Sequence, residues 1–185
     1  MTATRSGAVF LDRDGTIIED PGYLHDPDQV RLLPGAAEGL SAMARGGWPL
    51  VIVSNQSGIA RGLYGPDAFH ATMGRLEQLL QPLGVRFTGA RFCPHHPDFG
   101  GPCACRKPGV KLFLDAAAEH GFDLGASWFV GDRWRDVAPA LELGGRGILV
   151  QPDPGAPDAA EAARHNMKAV PDLVAAAGMV GRRPG

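Results

Sequence analysis

Short apolar runs, each stopped by polar residues and separated from the next by a helical pattern, restrict this chain more than any other feature. Ala8-Val9-Phe10-Leu11 ends abruptly in Asp12-Arg13-Asp14-Gly15. The run from Pro49 to Val53 ends in Ser54-Asn55-Gln56-Ser57-Gly58, and Ser127-Trp128-Phe129-Val130 ends in Gly131-Asp132. Gly147-Ile148-Leu149-Val150 is a fourth run, and Ala169-Val170 before Pro171 reads as an edge strand. Runs this short and this uniformly apolar fit strands covered on both faces, because a half-exposed strand alternates apolar with polar residues.

The intervening segments carry helical spacing. Ala36, Leu40 and Met43 follow Pro34-Gly35 and stop at Gly46-Gly47. Pro66 occupies a favoured first helical position ahead of Phe69, Met73, Leu76, Leu79 and Leu80. Pro108 opens a pattern of Val110, Leu112, Leu114 and Ala117 that ends at Gly121. Short helices are expected around 137–143 and after Pro171, and Ala90-Arg91-Phe92 leads into a cysteine-rich loop. Alternation of this kind specifies an α/β fold: a Rossmann-like three-layer α/β/α sandwich with a mainly parallel sheet. Such sheets bind ligands beyond the carboxyl ends of their strands, so Asp12, Ser54 and Asp132 are expected at one edge.

Length and charge bound the rest. The 185 residues fit one domain, with a core over about 7–178 and a tail, 181–185, expected to be disordered. With 44% apolar residues a sizeable core is available, and a net charge of -2 gives no general attraction for nucleic acid or anionic membrane. Met1 to Gly7 has no apolar signal-peptide region, and no window approaches the ~18 apolar residues of a membrane span. A monomeric, cytoplasmic protein is therefore expected.

Three acidic groups meeting at one edge, Asp12, Asp14 and Asp132, repel one another unless a cation joins them, and hard oxygen ligands suit Mg²⁺. An Asp-x-Asp alone is also what a solvated loop or a helix cap looks like; the matching polar residues at the other strand ends favour a site. Ser54 offers a hydroxyl and Asn55 an amide to phosphate oxygens, and Lys107 a compact positive charge. An acid partner such as Asp14 suits hydrolysis better than dehalogenation or phosphotransfer.

A second constellation is Cys93-x-His95, seven residues, then Cys103-x-Cys105. Three cysteines crowded together make a poor disulfide framework, whereas three thiolates and an imidazole complete a tetrahedral zinc site with no open position. His96 competes with His95 as the fourth ligand. The loop is rich in Gly and Pro, so a structural metal can supply order that it cannot get from burial. Arg106 and Lys107 follow the last ligand directly, so zinc would hold two cations beside the site.

Asp12-x-Asp14-Gly15-Thr16, Ser54, Lys107 and Gly131-Asp132 resemble the four motifs of the haloacid-dehalogenase-like phosphatases. That resemblance implies that Asp12 attacks phosphorus and that Asp14 protonates the leaving alcohol and then activates water. It implies Mg²⁺ held by Asp12, the Asp14 backbone carbonyl and Asp132, with Asp136 a further ligand or a partner of one. Ser54 to Gly62, Cys93-Pro94-His95-His96-Pro97 and Cys103-Ala104-Cys105-Arg106-Lys107-Pro108 are more narrowly similar to the D-glycero-D-manno-heptose-1,7-bisphosphate 7-phosphatases. The resemblance, which runs from about 8 to 150, implies a small phosphorylated sugar as substrate. It implies substrate contacts at Gln56, Ser57 and Arg61, with Asp20 and Tyr23 bordering the sugar, Arg106 recognising it, and Arg133 where the family often has lysine. Histidinol-phosphate phosphatases share the aspartates and the zinc loop, but are expected to lack Ser57 and the Ile59-Ala60-Arg61-Gly62 run. A zinc-stabilised binding module or a receiver-like domain is the non-enzymatic alternative, against which Asp14 and Lys107 speak. No large insertion separates the motifs, so no large cap domain is expected.

Overall fold

A computed structural model describes residues 6–150 and 155–184. In chain order they form β1 (Val9–Leu11), α1 (Ala36–Arg45), β2 (Leu50–Asn55), α2 (Ser57–Ala60), α3 (Pro66–Leu80), β3 (Phe87–Cys93) and α4 (Lys111–His120). Then follow β4 (Trp128–Gly131), α5 (Trp134–Val137), α6 (Pro139–Leu143), β5 (Arg146–Val150), α7 (Pro157–Arg164), β6 (Lys168–Val170) and α8 (Leu173–Val180). Among the described residues the strands make one six-stranded sheet in the order β3-β2-β1-β4-β5-β6. Every pairing is parallel.

The pleat sorts each apolar run onto two faces. Val9, Leu11, Leu50, Ile52, Val130 and Ile148 pack with Leu40 and Met43 of α1, Phe69 and Leu76 of α3 and Leu173 of α8. On the other face Ala8, Phe10, Val51, Val53 and Phe129 meet Leu112, Phe113 and Ala116 of α4. Phe10 stacks on Phe129 at 5.3 Å and meets Phe113 edge-on at 5.4 Å. A smaller cluster of Val137, Leu149, Ala159 and Ala162 seats α5 and α7. The three layers expected from the sequence are present, and among the described residues no inserted domain interrupts them.

Several details differ from the sequence expectation. β3 is a full strand on the sheet edge, although its alternating exposure and its Gly89 and Arg91 gave no apolar run. α7 is an additional helix, with Pro157 in its first turn and Asp158 beside it. The helix expected from Pro108 begins at Lys111, after a turn in which Gly109 N donates to Arg106 O. The helix expected over 137–143 is two short ones, α5 and α6, meeting at Pro139, whose missing N–H cannot continue the ladder. Residues 181–184 of the tail expected to be disordered are tied down: Trp48 Nε1 donates to Gly181 O at 2.9 Å and Arg183 N to Gly46 O at 2.9 Å. The final residue of that tail and residues 1–5 lie outside the described residues.

Strand order reverses between β1 and β4, and crevices open at such a point beyond the carboxyl ends of the strands. Asp12 follows β1, Asp132 follows β4, and Ser54 and Asn55 end β2.

Candidate active site

Asp12 is 7% exposed, its backbone N–H donating to Val130 O at 2.9 Å, so the two central strands fix its place. Lys107 Nζ reaches it from the β3–α4 connection, 2.7 Å from Asp12 Oδ1, and also donates to Val53 O at 2.6 Å. Asp136 Oδ1 pairs with the same ammonium at 2.8 Å, while Asp136 Oδ2 accepts from Arg133 N at 3.0 Å. Burial presses the Lys107 ammonium down, but Asp12 and Asp136 beside it prevail and hold its pKa above the usual lysine range.

Asp12, Asp132 and Asp136 each bring an oxygen within 4.8 Å of the others. Burial pushes the Asp12 carboxyl up to about 8; Lys107 opposes the shift, and Asp136, Asp14 and Asp132 add to it. Asp132 rises to about 6, first from burial and then from Asp136, against Arg133 and the Thr16 hydroxyl that donates to it at 3.2 Å. A cluster in which carboxylates cost this much charged is a fit for a hard divalent cation. Two glycines make the approach possible. Gly15 takes φ 84, and a Cβ there would stand 2.8 Å from Asp132 Oδ2; a Cβ on Gly131 would meet Asp136 Cβ at 2.2 Å.

Asp14 sits on the rim of this group. Gln56 Nε2 donates to Asp14 Oδ2 at 2.7 Å and Ser54 Oγ to the same oxygen at 3.2 Å. Arg13, fully buried, forks onto Asp14 with Nη2 2.9 Å from Oδ1. The Asn55 amide, expected to face phosphate, instead grips the Lys107 backbone: Asn55 Oδ1 accepts from Lys107 N at 3.0 Å and Nδ2 donates to Lys107 O at 3.2 Å. Arg13, Thr72 and Tyr64 also join this network; Arg13 lies between the two aspartates of the motif, and nothing in the sequence marks Thr72 or Tyr64 as its partners.

The zinc-type cluster is compact. Cys93, Cys103 and Cys105 have Sγ atoms 3.1–3.6 Å apart, and His95 Nδ1 is 3.2 Å from Cys105 Sγ and 3.7 Å from Cys93 Sγ. Ligands about 2.0–2.3 Å from one tetrahedral ion would stand roughly 3.5–3.8 Å apart, so the donor set fits zinc. His96 is not in it: its Nδ1 accepts from Asp98 N at 3.2 Å and its Nε2 lies 3.3 Å from Arg61 Nη2. Arg106 Nη1 donates to His95 O at 3.1 Å, which ties that guanidinium to the loop.

The substrate-contact candidates divide into two groups. Asp20 and Arg133 line an open cleft of about 460 Å³ with Asp14, Asp132, Trp134 and Arg135. Tyr23 and Arg61 lie together, Arg61 standing 5.7 Å from the Tyr23 ring and 4.7 Å from the Phe99 ring. Ser57 opens α2, one residue after Gln56. Asp14 and Asp132 join that cleft to the group around Asp12, where a buried carboxylate, a lysine paired to it and a fit for a hard cation can bind a phosphate and attack it.

Comparison with known proteins points the same way. A family model described as "HAD-hyrolase-like" matches residues 104–177. The chain is 40% identical over 150 residues to a D-glycero-beta-D-manno-heptose-1,7-bisphosphate 7-phosphatase of Photorhabdus laumondii, covering 78% of this chain and 80% of the relative. It is 36% identical over 173 residues to the enzyme of the same name from Escherichia coli O6:H1, covering 90% and 91%. Its fold is similar to the crystal structure of D,D-heptose 1,7-bisphosphate phosphatase from B. bronchiseptica complexed with magnesium and phosphate. There the TM-score is 0.81 and the identity 30%, over 94% of this chain and 97% of the other.

Proposed function

The chain belongs to the D-glycero-beta-D-manno-heptose-1,7-bisphosphate 7-phosphatase family of HAD-like hydrolases, and on that footing we propose a Mg²⁺-dependent mechanism through an aspartyl phosphate. The protein is a phosphoric monoester hydrolase acting on a sugar bisphosphate, and the phosphate removed is the one on C7. The observation that carries this reading is the convergence of Asp12, Asp132 and Asp136 oxygens within 4.8 Å, with Lys107 Nζ 2.7 Å from Asp12.

Asp12 attacks phosphorus with a carboxylate oxygen; the bond from phosphorus to the sugar oxygen breaks as Asp14 gives that oxygen its proton. Asp14, now a carboxylate, takes a proton from water, which attacks the same phosphorus and releases inorganic phosphate from Asp12. Lys107 and the Ser54 hydroxyl bind the phosphate oxygens, and Asn55 keeps Lys107 in place by holding its backbone. Mg²⁺ would be held by Asp12, Asp132 and the Asp14 carbonyl, supplying the positive charge that lets a carboxylate approach a phosphate dianion. Asp136 pairs with Lys107 through Oδ1 and accepts from Arg133 N through Oδ2, so we assign it to steadying the lysine beside the metal, with its oxygen near Asp12 and Asp132 available as a further ligand. Zinc on Cys93, His95, Cys103 and Cys105 is structural, and its loop presents Arg106 to the sugar.

We take the 185-residue chain as one phosphatase domain, its core over about 7–178, acting as a cytoplasmic monomer without nucleic acid or membrane. Among the described residues no helix is long and apolar enough to cross a membrane. The test is phosphate release from the heptose 1,7-bisphosphate with Mg²⁺ and with EDTA. Release that needs Mg²⁺ and leaves the 1-phosphate intact is expected; loss of the 1-phosphate instead would overturn the assignment.

A further inference from the structure

Arg13 is the largest fully buried side chain among the described residues, and phosphate attack at Asp12 gives it no task. A buried ion pair is weak evidence of stabilisation, because desolvation offsets most of its attraction and apolar side chains of similar volume do as well. What its position does accomplish is to hold Asp14. Arg13 Nε lies 3.1 and 3.2 Å from the two Asp14 oxygens, and Nη2 lies 2.9 Å from Oδ1. The guanidinium is itself anchored on α3: Nη1 donates to Thr72 Oγ1 at 2.6 Å, and its carbon stands 5.0 Å from the centre of the Phe69 ring.

A second brace meets Asp14 from the segment that follows β2. Gln56 Nε2 donates to Asp14 Oδ2 at 2.7 Å and is 2.7 Å from Ser54 Oγ. An amide can present either end, and Tyr64 fixes the choice by donating its hydroxyl to Gln56 Oε1 at 2.8 Å. Tyr64 packs against Gly58, where a Cβ would lie 2.2 Å from the ring, and stacks with His25 at 5.6 Å. Burial first, and then the Asp14 charge, push the phenol up to about 12, so it remains a donor under ordinary conditions.

We infer that Arg13 and the Tyr64–Gln56 pair are positioning residues that fix the orientation of the Asp14 carboxyl toward the leaving oxygen. This rests on the reading of Asp14 as the proton donor. Two braces from different elements leave the carboxyl one rotamer, whereas either alone would let it turn. Placement within a few tenths of an ångström matters because proton transfer falls steeply with misalignment.

Leaving-group dependence tests the inference. Single-turnover phenol release is measured for a series from phenyl phosphate, whose leaving group needs a proton, to 2,4-dinitrophenyl phosphate, whose leaving group does not. Arg13→Lys keeps the charge but loses the fork, and Tyr64→Phe removes one hydroxyl while keeping the ring. On phenyl phosphate we expect losses of roughly tenfold or more for Arg13→Lys and about threefold for Tyr64→Phe, set against the ~10²–10⁴ that general acid catalysis supplies. On the dinitrophenyl ester both variants should stay within about twofold of wild type. An equal loss across the series, or no loss anywhere in it, overturns the inference, and Tyr64→Phe decides alone if Arg13→Lys fails to fold. A wild type that releases no phenol with Mg²⁺ would instead refute the phosphatase reading, and an Asp14→Asn variant equally slow on both esters would refute Asp14 as the acid.

Discussion

Asp12 shares its pocket with three other carboxylates and one ammonium, and that imbalance has a measurable consequence. Its carboxyl titrates near 3.8 in an unfolded chain and is raised to about 8 in the folded protein. The folded state therefore holds the proton more tightly, and the associated stability is fully present below about pH 4 and lost as pH rises through 8. Metal-free protein should melt progressively lower across that range, and Mg²⁺ should recover the loss on the alkaline side by binding the folded state. Asp12→Asn removes the buried charge while Lys107 keeps Asp136 as partner. In EDTA at pH 8 this variant should melt above wild type, by ~2–4 °C for each kcal/mol relieved, and turn over no substrate. Thermal melts in EDTA and in Mg²⁺ check this; an Asn variant that melts below wild type in EDTA would contradict the burial argument.

The loop from Cys93 to Cys105, which we propose binds zinc, has little packing of its own to order it. Between Cys93 and Cys105 it carries Pro94, Pro97, Gly100, Gly101 and Pro102, and only the first cysteine is fully buried. Cys103→Ser should reduce bound zinc from one per chain to almost none, destabilise the protein by several kcal/mol, and lower kcat/KM by roughly tenfold through Arg106 and Lys107. Metal analysis and melting settle it, and an unchanged zinc content would remove Cys103 from the ligand set. The sequence was legible at elements where an apolar run or an end signal is local. β1, β2, β4 and β5 are uniform runs, and α3 starts at Pro66 as its proline indicates. β3 was not legible because an edge strand needs only one covered face, and α7 because its apolar side is alanine rather than Leu or Val. The same distinction runs through the site. Asp12, Asp132 and the cysteine set lie at strand ends or in short spacings, whereas Arg13–Thr72 and Gln56–Asp14 join residues 59 and 42 positions apart.

The whole molecule brings chemistry to one edge because parallel strands in the order β3-β2-β1-β4-β5-β6 all point their carboxyl ends that way. With no inserted domain among the described residues, the cleft stays open, and small phosphorylated sugars can enter it. On the proposed reading, specificity would rest on loop residues such as Asp20, Arg106 and Arg133 rather than on enclosure. The heptose 1,7-bisphosphate should exceed L-histidinol phosphate in kcat/KM by at least about tenfold; the reverse ranking would move the chain's activity to the histidinol substrate. The covalent step is open to direct capture. Rapid acid quench during turnover, followed by borohydride reduction, converts an aspartyl phosphate to homoserine, which peptide mass spectrometry can locate. Homoserine at position 12 is the predicted result, and its absence there during full turnover, or its presence at another aspartate, would contradict Asp12 as the nucleophile.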